Sequence, residues 1–198
     1  MCRFIESIKL QDGKFYRIAL HQARVDKVFA DFYPAVKPIN LVELLIKSDF
    51  PETGIHKCRI VFDSEMQSLE YIPYVRREIK SLKLVETDME TLPYKIEDRT
   101  KLDIAFAKRE ACDDVLMIRN DLLTDTSYSN IALFDGENWI TPKSPLLFGV
   151  NRAQLVAENK LIQKDIKVSE LFNFQRISLF NAMIEFGEME IQIDAIKH

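Results

Sequence analysis

The sequence predicts an α+β protein in two halves, and three observations carry that expectation. The chain has 198 residues, room for one large domain or two small ones at the usual size of roughly 100–150 residues. Apolar residues make up 47% and charged residues 29%, a balance that supports a buried core and excludes disordered, collagen-like and low-complexity classes. Short runs of β-branched and aromatic residues alternate with helical periodicity on both sides of one acidic, weakly patterned segment, Glu86–Pro93. No internal repeat is visible. The pattern divides the chain into a first domain over residues 1–85, a linker over 86–95 and a second domain over 96–198.

In the first half, Asp12-Gly13 is a type I′ hairpin signal between strands at Phe4–Ile8 and Phe15–Ile18. From His21 to Tyr33, Val25, Val28, Phe29 and Phe32 recur at the i, i+3, i+4, i+7 spacing of one helical face, and Pro34 stops the helix. A short helix follows at Leu41–Lys47, then strands at Cys58–Phe62, Gln67–Tyr74 and Ser81–Val85. In the second half, Thr100–Arg109 reads as a helix with Leu102, Ile104, Ala105 and Phe106 as its apolar side. Strands are expected at Val115–Ile118, at Asn130–Phe134, and at Trp139-Ile140 beyond the turn Asp135–Asn138. Asn151–Glu158 is a helix preceded by Pro142, Pro145 and Gly149, and Gln175–Phe180 and Met189–Ile193 are further strands.

Charge narrows the partners. With 27 basic and 31 acidic residues interspersed and a formal net charge of -4, the chain has no basic stripe for nucleic acid, and small molecules or proteins are expected instead. The cysteines Cys2, Cys58 and Cys112 are odd in number and lack zinc or redox spacing, which fits a reducing cytoplasm. No run approaches the roughly 20 apolar residues of a membrane helix, and the start lacks a secretory pattern. His21, His56 and His198 are far apart in sequence, and isolated histidines of this kind read as surface or core residues. Nucleophile elbows, phosphate loops, zinc-protease and dinucleotide motifs are missing. Only five glycines occur, so each marks a place of special backbone demand.

Six ordered segments supply what composition does not. They are Phe4-Ile5-Glu6-Ser7-Ile8 with Asp12-Gly13 and His21-Gln22-Ala23-Arg24-Val25; Tyr94-Lys95-Ile96-Glu97-Asp98-Arg99; Leu123 to Ile131; Asp135-Gly136 with Thr141-Pro142; Gly149-Val150-Asn151-Arg152; and Phe180-Asn181-Ala182-Met183. In this order they resemble the class IV aminotransferases, a family that includes branched-chain and D-amino-acid aminotransferases and 4-amino-4-deoxychorismate lyase. The resemblance implies the family's two-domain α+β fold, with a pseudo-barrel second domain and the cofactor cleft between the domains. It also implies pyridoxal 5'-phosphate, a homodimer, and a small amine or carboxylate substrate.

By that resemblance Lys95 is the Schiff-base lysine and the acid/base of the reaction. Asp125 stands where the family has a glutamate facing the cofactor's ring nitrogen, one methylene shorter, and an opposite charge there keeps the nitrogen protonated. Arg24 and the segment Gly149-Val150-Asn151 at a helix start would hold the phosphate, the guanidinium by its fork and the backbone by its amides. Asn181 and Ala182 would add amides from a second segment, although the Thr141–Gly149 loop is shorter than the family's. Arg59 falls where the family has a strand arginine facing the substrate carboxylate, with Arg99 and Arg77 as further candidates, and Asp98 with Arg99 also reads as a simple local ion pair. The family has a leading strand pair and glycine-containing loop ahead of the Phe4–Ile8 segment, so here the pocket is expected to be more open or completed by the dimer partner.

Asn181-Ala182-Met183 and the shortness of the chain favour the lyase branch, which forms pyruvate and 4-aminobenzoate in folate synthesis. The alternatives are an aminotransferase for branched-chain or D-amino acids and a non-catalytic relative.

Overall fold

A computed structural model describes residues 3–197, so Cys2 and His198 lie outside the described residues. The chain forms two compact units. The first comprises the residues up to Arg76 together with Pro93–Asp98, and the second comprises Arg77–Leu92 and the chain from Arg99 onward. The division therefore differs from a single linker over 86–95, and pairing explains why. The strand expected at Ser81–Val85 does not join the first sheet, because its hydrogen-bonding neighbours lie later in the chain. Pro93–Asp98, by contrast, returns to pair with the first strand.

The first unit is built on β1 (Phe4–Gln11), β2 (Lys14–Phe15), α1 (Ile18–Phe32), α2 (Leu41–Ile46), β3 (Ile55–Phe62) and β4 (Met66–Pro73). Its antiparallel sheet runs in the order β2-β1-β3-β4. The hairpin between β1 and β2 places Asp12 at φ 49° and Gly13 at φ 75°, both in the left-handed region that a type I′ turn requires. The second strand stops at Phe15 rather than Ile18, since Arg17 turns left-handed at φ 56° and the helix starts behind it. The helix ends at Phe32, just before Tyr33 and Pro34.

Strand alternation gives β1 two unlike faces. Phe4 and Ile8, with Cys58, Ile60 and Phe62 of β3, pack against Val25, Val28 and Phe29 of α1 and Leu41 and Leu45 of α2. Ile5, Ser7 and Lys9 occupy the other face of β1, across from Val61, Arg59 and Lys57 of β3. Beside the start of β1, Ile5 donates to the Lys95 carbonyl at 2.9 Å and Glu97 donates to the Arg3 carbonyl at 2.9 Å. Phe4 bridges Ile96 in antiparallel register. Tyr94 and Ile96 thus join the α1-side core, and alternation puts Lys95 and Glu97 on the opposite face with Ser7.

In the second unit, β5 (Leu82–Glu86), β6 (Asp114–Arg119), β7 (Leu122–Thr126) and β13 (Ile196–Lys197) form one sheet in the order β13-β5-β6-β7. A five-stranded sheet holds β8 (Asn130–Phe134), β9 (Trp139–Pro142), β10 (Ile162–Lys164), β11 (Arg176–Phe180) and β12 (Glu190–Gln192), in the order β10-β9-β8-β11-β12. Two helices belong to this unit, α3 (Thr100–Ala107) and α4 (Val150–Ala157). The expected apolar side of α3 is not realised: Ala105 alone is buried and Ile104 is 58% exposed. Leu102, Ile104, Ala105 and Phe106 span too wide an arc to share one helical face. Strand β7 was not anticipated. It ends in a tight turn, Thr126 N–H to the Ser129 carbonyl at 2.9 Å, which leads straight into β8 and leaves Asp125 and Asn130 flanking it. No helix among the described residues is long and apolar enough to cross a membrane.

Candidate active site

The first unit carries a buried charge cluster on the α1 side of β1. Arg24 donates from Nε to Glu6 Oε1 at 2.7 Å and from Nη2 to Glu6 Oε2 at 2.6 Å, the two-pronged geometry that guanidinium makes with carboxylate. His21 lies one helical turn earlier on the same face, with Nδ1 2.5 Å from Glu6 Oε2. Burial pushes the Glu6 carboxyl upward, but the Arg24 charge and then His21 outweigh it and hold the group down at about 2. Burial lowers His21, partly offset by Glu6 and reinforced by Arg24 and Lys95. An ionised Glu6 requires the proton on Nδ1, so Nε2, buried with no hydrogen-bond partner among the described residues, is an acceptor in the neutral ring. Arg24, expected to hold a phosphate, turns inward and meets the Glu6 carboxylate instead.

On the other face of the sheet, Lys95 Nζ donates to Ser7 Oγ at 3.3 Å. Arg59 is half-buried there and donates from Nη2 to Glu97 Oε1 at 2.8 Å, with Arg3 Nη1 3.7 Å from the other Glu97 oxygen. The arginine expected to meet a substrate carboxylate therefore already faces an internal one.

In the second unit Asp125 is buried on β7. Its Oδ1 accepts from Asn130 Nδ2 at 2.9 Å and its Oδ2 from the Leu147 amide at 2.9 Å, while the same Asn130 nitrogen donates to the Leu147 carbonyl at 2.8 Å. Desolvation pushes the Asp125 carboxyl up to about 6 against these bonds and against Arg152. Leu147 opens the segment that leads into α4, so the carboxylate and that helix start are tied together. At the helix start Gly149 precedes Val150 with no side-chain cap and no acid in the first turn, which leaves backbone amides and the positive end of the helix dipole for an anion. A Cβ on Gly149 would overlap Asn130 Oδ1; its φ is -68°, so close approach rather than backbone strain requires the glycine.

The remaining candidates have structural partners. Asn151 Nδ2 donates to the carbonyls of Asn181 at 2.9 Å and Ile184 at 3.1 Å. Asn181 accepts from the amides of Met183 and Ile184 and donates to Ser129 Oγ at 3.1 Å, so the bend containing Ala182 is held against the β7–β8 turn. Val150 is buried. Arg99 donates to the Ser127 carbonyl at 2.9 Å and lies 3.8 Å from Asp103, and Arg77 donates to the Asp113 carbonyl and stacks on Phe106.

A lysine amine on a hydroxyl, a desolvated carboxylate and an uncapped helix start are equipment for an anionic cofactor with a basic ring nitrogen. Comparison with known proteins agrees: the model of the family "Amino-transferase class IV" matches residues 74–189. The chain belongs to the class IV aminotransferase family. An uncharacterised protein of Haemophilus influenzae is 32% identical over 185 residues, covering 92% of this chain and 98% of that protein. A crystal structure of a candidate 4-amino-4-deoxychorismate lyase from Haemophilus somnus 129PT is 30% identical with a TM-score of 0.86, covering 93% of this chain and 98% of that one. A candidate amino-acid aminotransferase from Mesorhizobium loti shares the fold at a TM-score of 0.83 and 20% identity, covering 97% of this chain and 99% of that one.

This class IV aminotransferase is a pyridoxal-phosphate-dependent enzyme, and its residues fit that cofactor. The uncapped start of α4, where Gly149 has no room for a Cβ, suits a phosphate, and Asp125 supplies a desolvated carboxylate of the kind a pyridinium stabilises. Sequence reasoning missed Glu6, Ser7 and the bridging role of Asn130. Glu6 had a readable signal, an acid at an α1-facing position of β1 opposite an arginine and a histidine three residues apart.

Two outcomes follow from this geometry. Glu6 sits far below its ordinary 4.5, so it stabilises the fold above pH 4.5 and that contribution is lost as pH falls toward 2. Glu6→Gln should cost about 3 kcal/mol in urea denaturation at pH 7, with the gap to wild type closing below pH 4.5. Gly149→Ala should displace Asn130 and cost about 1–3 kcal/mol by the same measurement; an unchanged midpoint would mean that the Asn130 network is slack.

Proposed function

We propose that this enzyme is a 4-amino-4-deoxychorismate lyase, releasing pyruvate and leaving 4-aminobenzoate. The observation that carries the proposal is the 30% identical match over 98% of the Haemophilus somnus protein described as a candidate for that activity. The Asn181-Ala182-Met183 segment supports the same branch.

The chemistry is an elimination that aromatises the ring. Pyridoxal phosphate, when bound, supplies an electron sink conjugated with the carbon that bears the substrate amine. Lys95 Nζ takes the proton from that carbon, the adjacent C–O bond to the enolpyruvyl group breaks with its electron pair on oxygen, and the released group gains a proton at its methylene carbon to become pyruvate. No oxidant or second substrate is needed. Ser7 Oγ holds the amine in place while it is not engaged. Asp125 would face the cofactor's ring nitrogen and favour its protonated form, and its bonds from Asn130 and Leu147 fix the carboxylate plane. The amides at the start of α4 suit the phosphate, and within the first unit Glu6 fixes the Arg24 guanidinium.

Purified enzyme given 4-amino-4-deoxychorismate and no 2-oxo acid should release pyruvate and 4-aminobenzoate in equal amounts. Lys95→Ala should lower that rate by at least about 100-fold. Turnover that appears only when an amino donor and a 2-oxo acid are both present would replace the lyase reading with an aminotransferase. Failure to take up the cofactor at all would point to a non-catalytic relative.

A further inference from the structure

We propose that the second unit carries an anion site of its own, a small cavity beside the β6–β7 turn in which Arg119 and Lys143 take a carboxylate or phosphate group. None of its residues is among those that meet cofactor or substrate in the lyase reading, so the two proposals stand or fall separately.

Backbone pairing builds the walls. β6 ends at Arg119 and β7 begins at Leu122, and these two residues pair across Asn120 and Asp121. Both turn residues are left-handed, at φ 52° and 63°, the conformation of a type I′ turn. Along β7, the Leu123 amide donates to the Ile166 carbonyl at 2.8 Å, and the Val168 amide donates to the Asp121 carbonyl at 3.0 Å. Beyond β9, the Lys143 amide donates to the Lys164 carbonyl at 2.9 Å, which extends the parallel β9–β10 pairing. These segments enclose a cavity of about 190 Å³, with Arg119, Lys143, Ser144 and Asp165 as its polar lining and Leu123 and Pro142 among its apolar walls. At roughly 30 Å³ per water it holds about six waters, and sites for drug-sized ligands start near about 300 Å³. It therefore suits a group the size of acetate or phosphate rather than a nucleotide.

Its charge is not balanced internally. Arg119 is half-buried and donates from Nη1 to the Met89 carbonyl at 3.1 Å, and from Nη2 to Thr91 Oγ1 at 2.9 Å and the Ser144 carbonyl at 3.5 Å. All three acceptors are neutral, so these bonds hold the guanidinium in place without neutralising it. The long contact to Ser144 is the one an anion displaces at least cost. Among the described residues no carboxylate stands within ion-pair distance of Arg119 or Lys143, and Asp165, the one acid of the lining, is likewise without an ion pair. Two cations thus face one acid, and a cleft with apolar walls concentrates the surplus field. Ser144 lies on the same loop as Leu147, whose amide holds Asp125, so an occupant touches the loop that fixes that acid.

NMR titration of the holoenzyme at constant ionic strength, with inorganic phosphate in one arm and acetate in the other, tests this. The cofactor fills its own site in the holoenzyme, so free phosphate reports on the cavity. Saturable shifts are expected at the amides of Asn120, Lys143 and Ser144, with a Kd of about 1–10 mM for the better probe, and the tighter arm names the source of the anion. Lys143→Gln should weaken that binding about 3-fold, and Asp165→Asn, which removes a like charge, should strengthen it about 3-fold. Both residues are exposed, and opposite changes from the two do not arise from a loss of fold. The absence of saturable shifts with either probe overturns the proposal. So does saturation centred on other amides, or an affinity that either substitution leaves unchanged.

Discussion

The first unit depends on one buried carboxylate. Glu6 sits in the middle of β1, in a row of apolar residues that pack against α1, and its ionised form survives there because Arg24 meets both of its oxygens and His21 meets one of them again. Removing either side of such a pair leaves an uncompensated buried charge, which costs about 3–5 kcal/mol. The pair therefore does more than attach a helix to a sheet. It fixes the rotation of α1 about its axis, because His21 and Arg24 must both point at one position of one strand, and it fixes the register of β1, because a slip by one residue would turn Glu6 to the wrong face. The opposite face of β1 inherits that register, and Ser7 stands beside Lys95 as a result.

The second unit solves a related problem with the opposite sign. Asp125 is also buried, yet what surrounds it is an amide side chain, a backbone amide and a more distant arginine rather than a direct ion pair, so desolvation wins and its carboxyl rises to about 6. Such a group disfavours the folded state once ionised: its contribution is present below the ordinary 3.8 and lost as pH rises through about 6. A cationic ring nitrogen would reverse that penalty, so the cost of ionising Asp125 in the fold becomes differential affinity for the protonated cofactor. Asn130 links this acid to the start of α4 through Leu147 and through its close approach to Gly149. The acid and the helix start are thereby set at a fixed separation by side chains of the same unit. The aspartate is one methylene shorter than the family's glutamate, and Asn130 and Leu147 hold it in a single orientation.

Much of this was legible in the sequence where the determinants are local. Asp12-Gly13 specified a turn whose two residues both adopt positive φ, the spacing of Val25, Val28 and Phe29 specified the buried side of α1, and the ordered motif segments specified the family. What escaped reading depends on distant pairing. The strand Leu82–Glu86 was assigned to the first half because it follows that half directly, but its parallel neighbour β6 lies beyond an acidic segment and a helix, and no local pattern encodes a parallel partner. Pro93–Asp98 went the other way for the same reason. Arg59 was read as a substrate residue from its resemblance to the family's strand arginine; the competing carboxylate, Glu97, is remote in sequence and becomes its neighbour only when the Lys95 segment lies along β1. Asn151 and Asn181 were read as cofactor-binding residues; their side chains serve the backbone of the Asn181–Ile184 bend.

The account stands on Lys95 as the residue that carries the cofactor. Reducing the holoenzyme with borohydride and mapping the modified peptide by mass spectrometry tests that most directly. The cofactor's mass should appear, after loss of water and gain of two hydrogens, on the peptide containing Lys95 and on no other. Its appearance on a different lysine, or a protein that holds the cofactor with no lysine modified, would contradict the account.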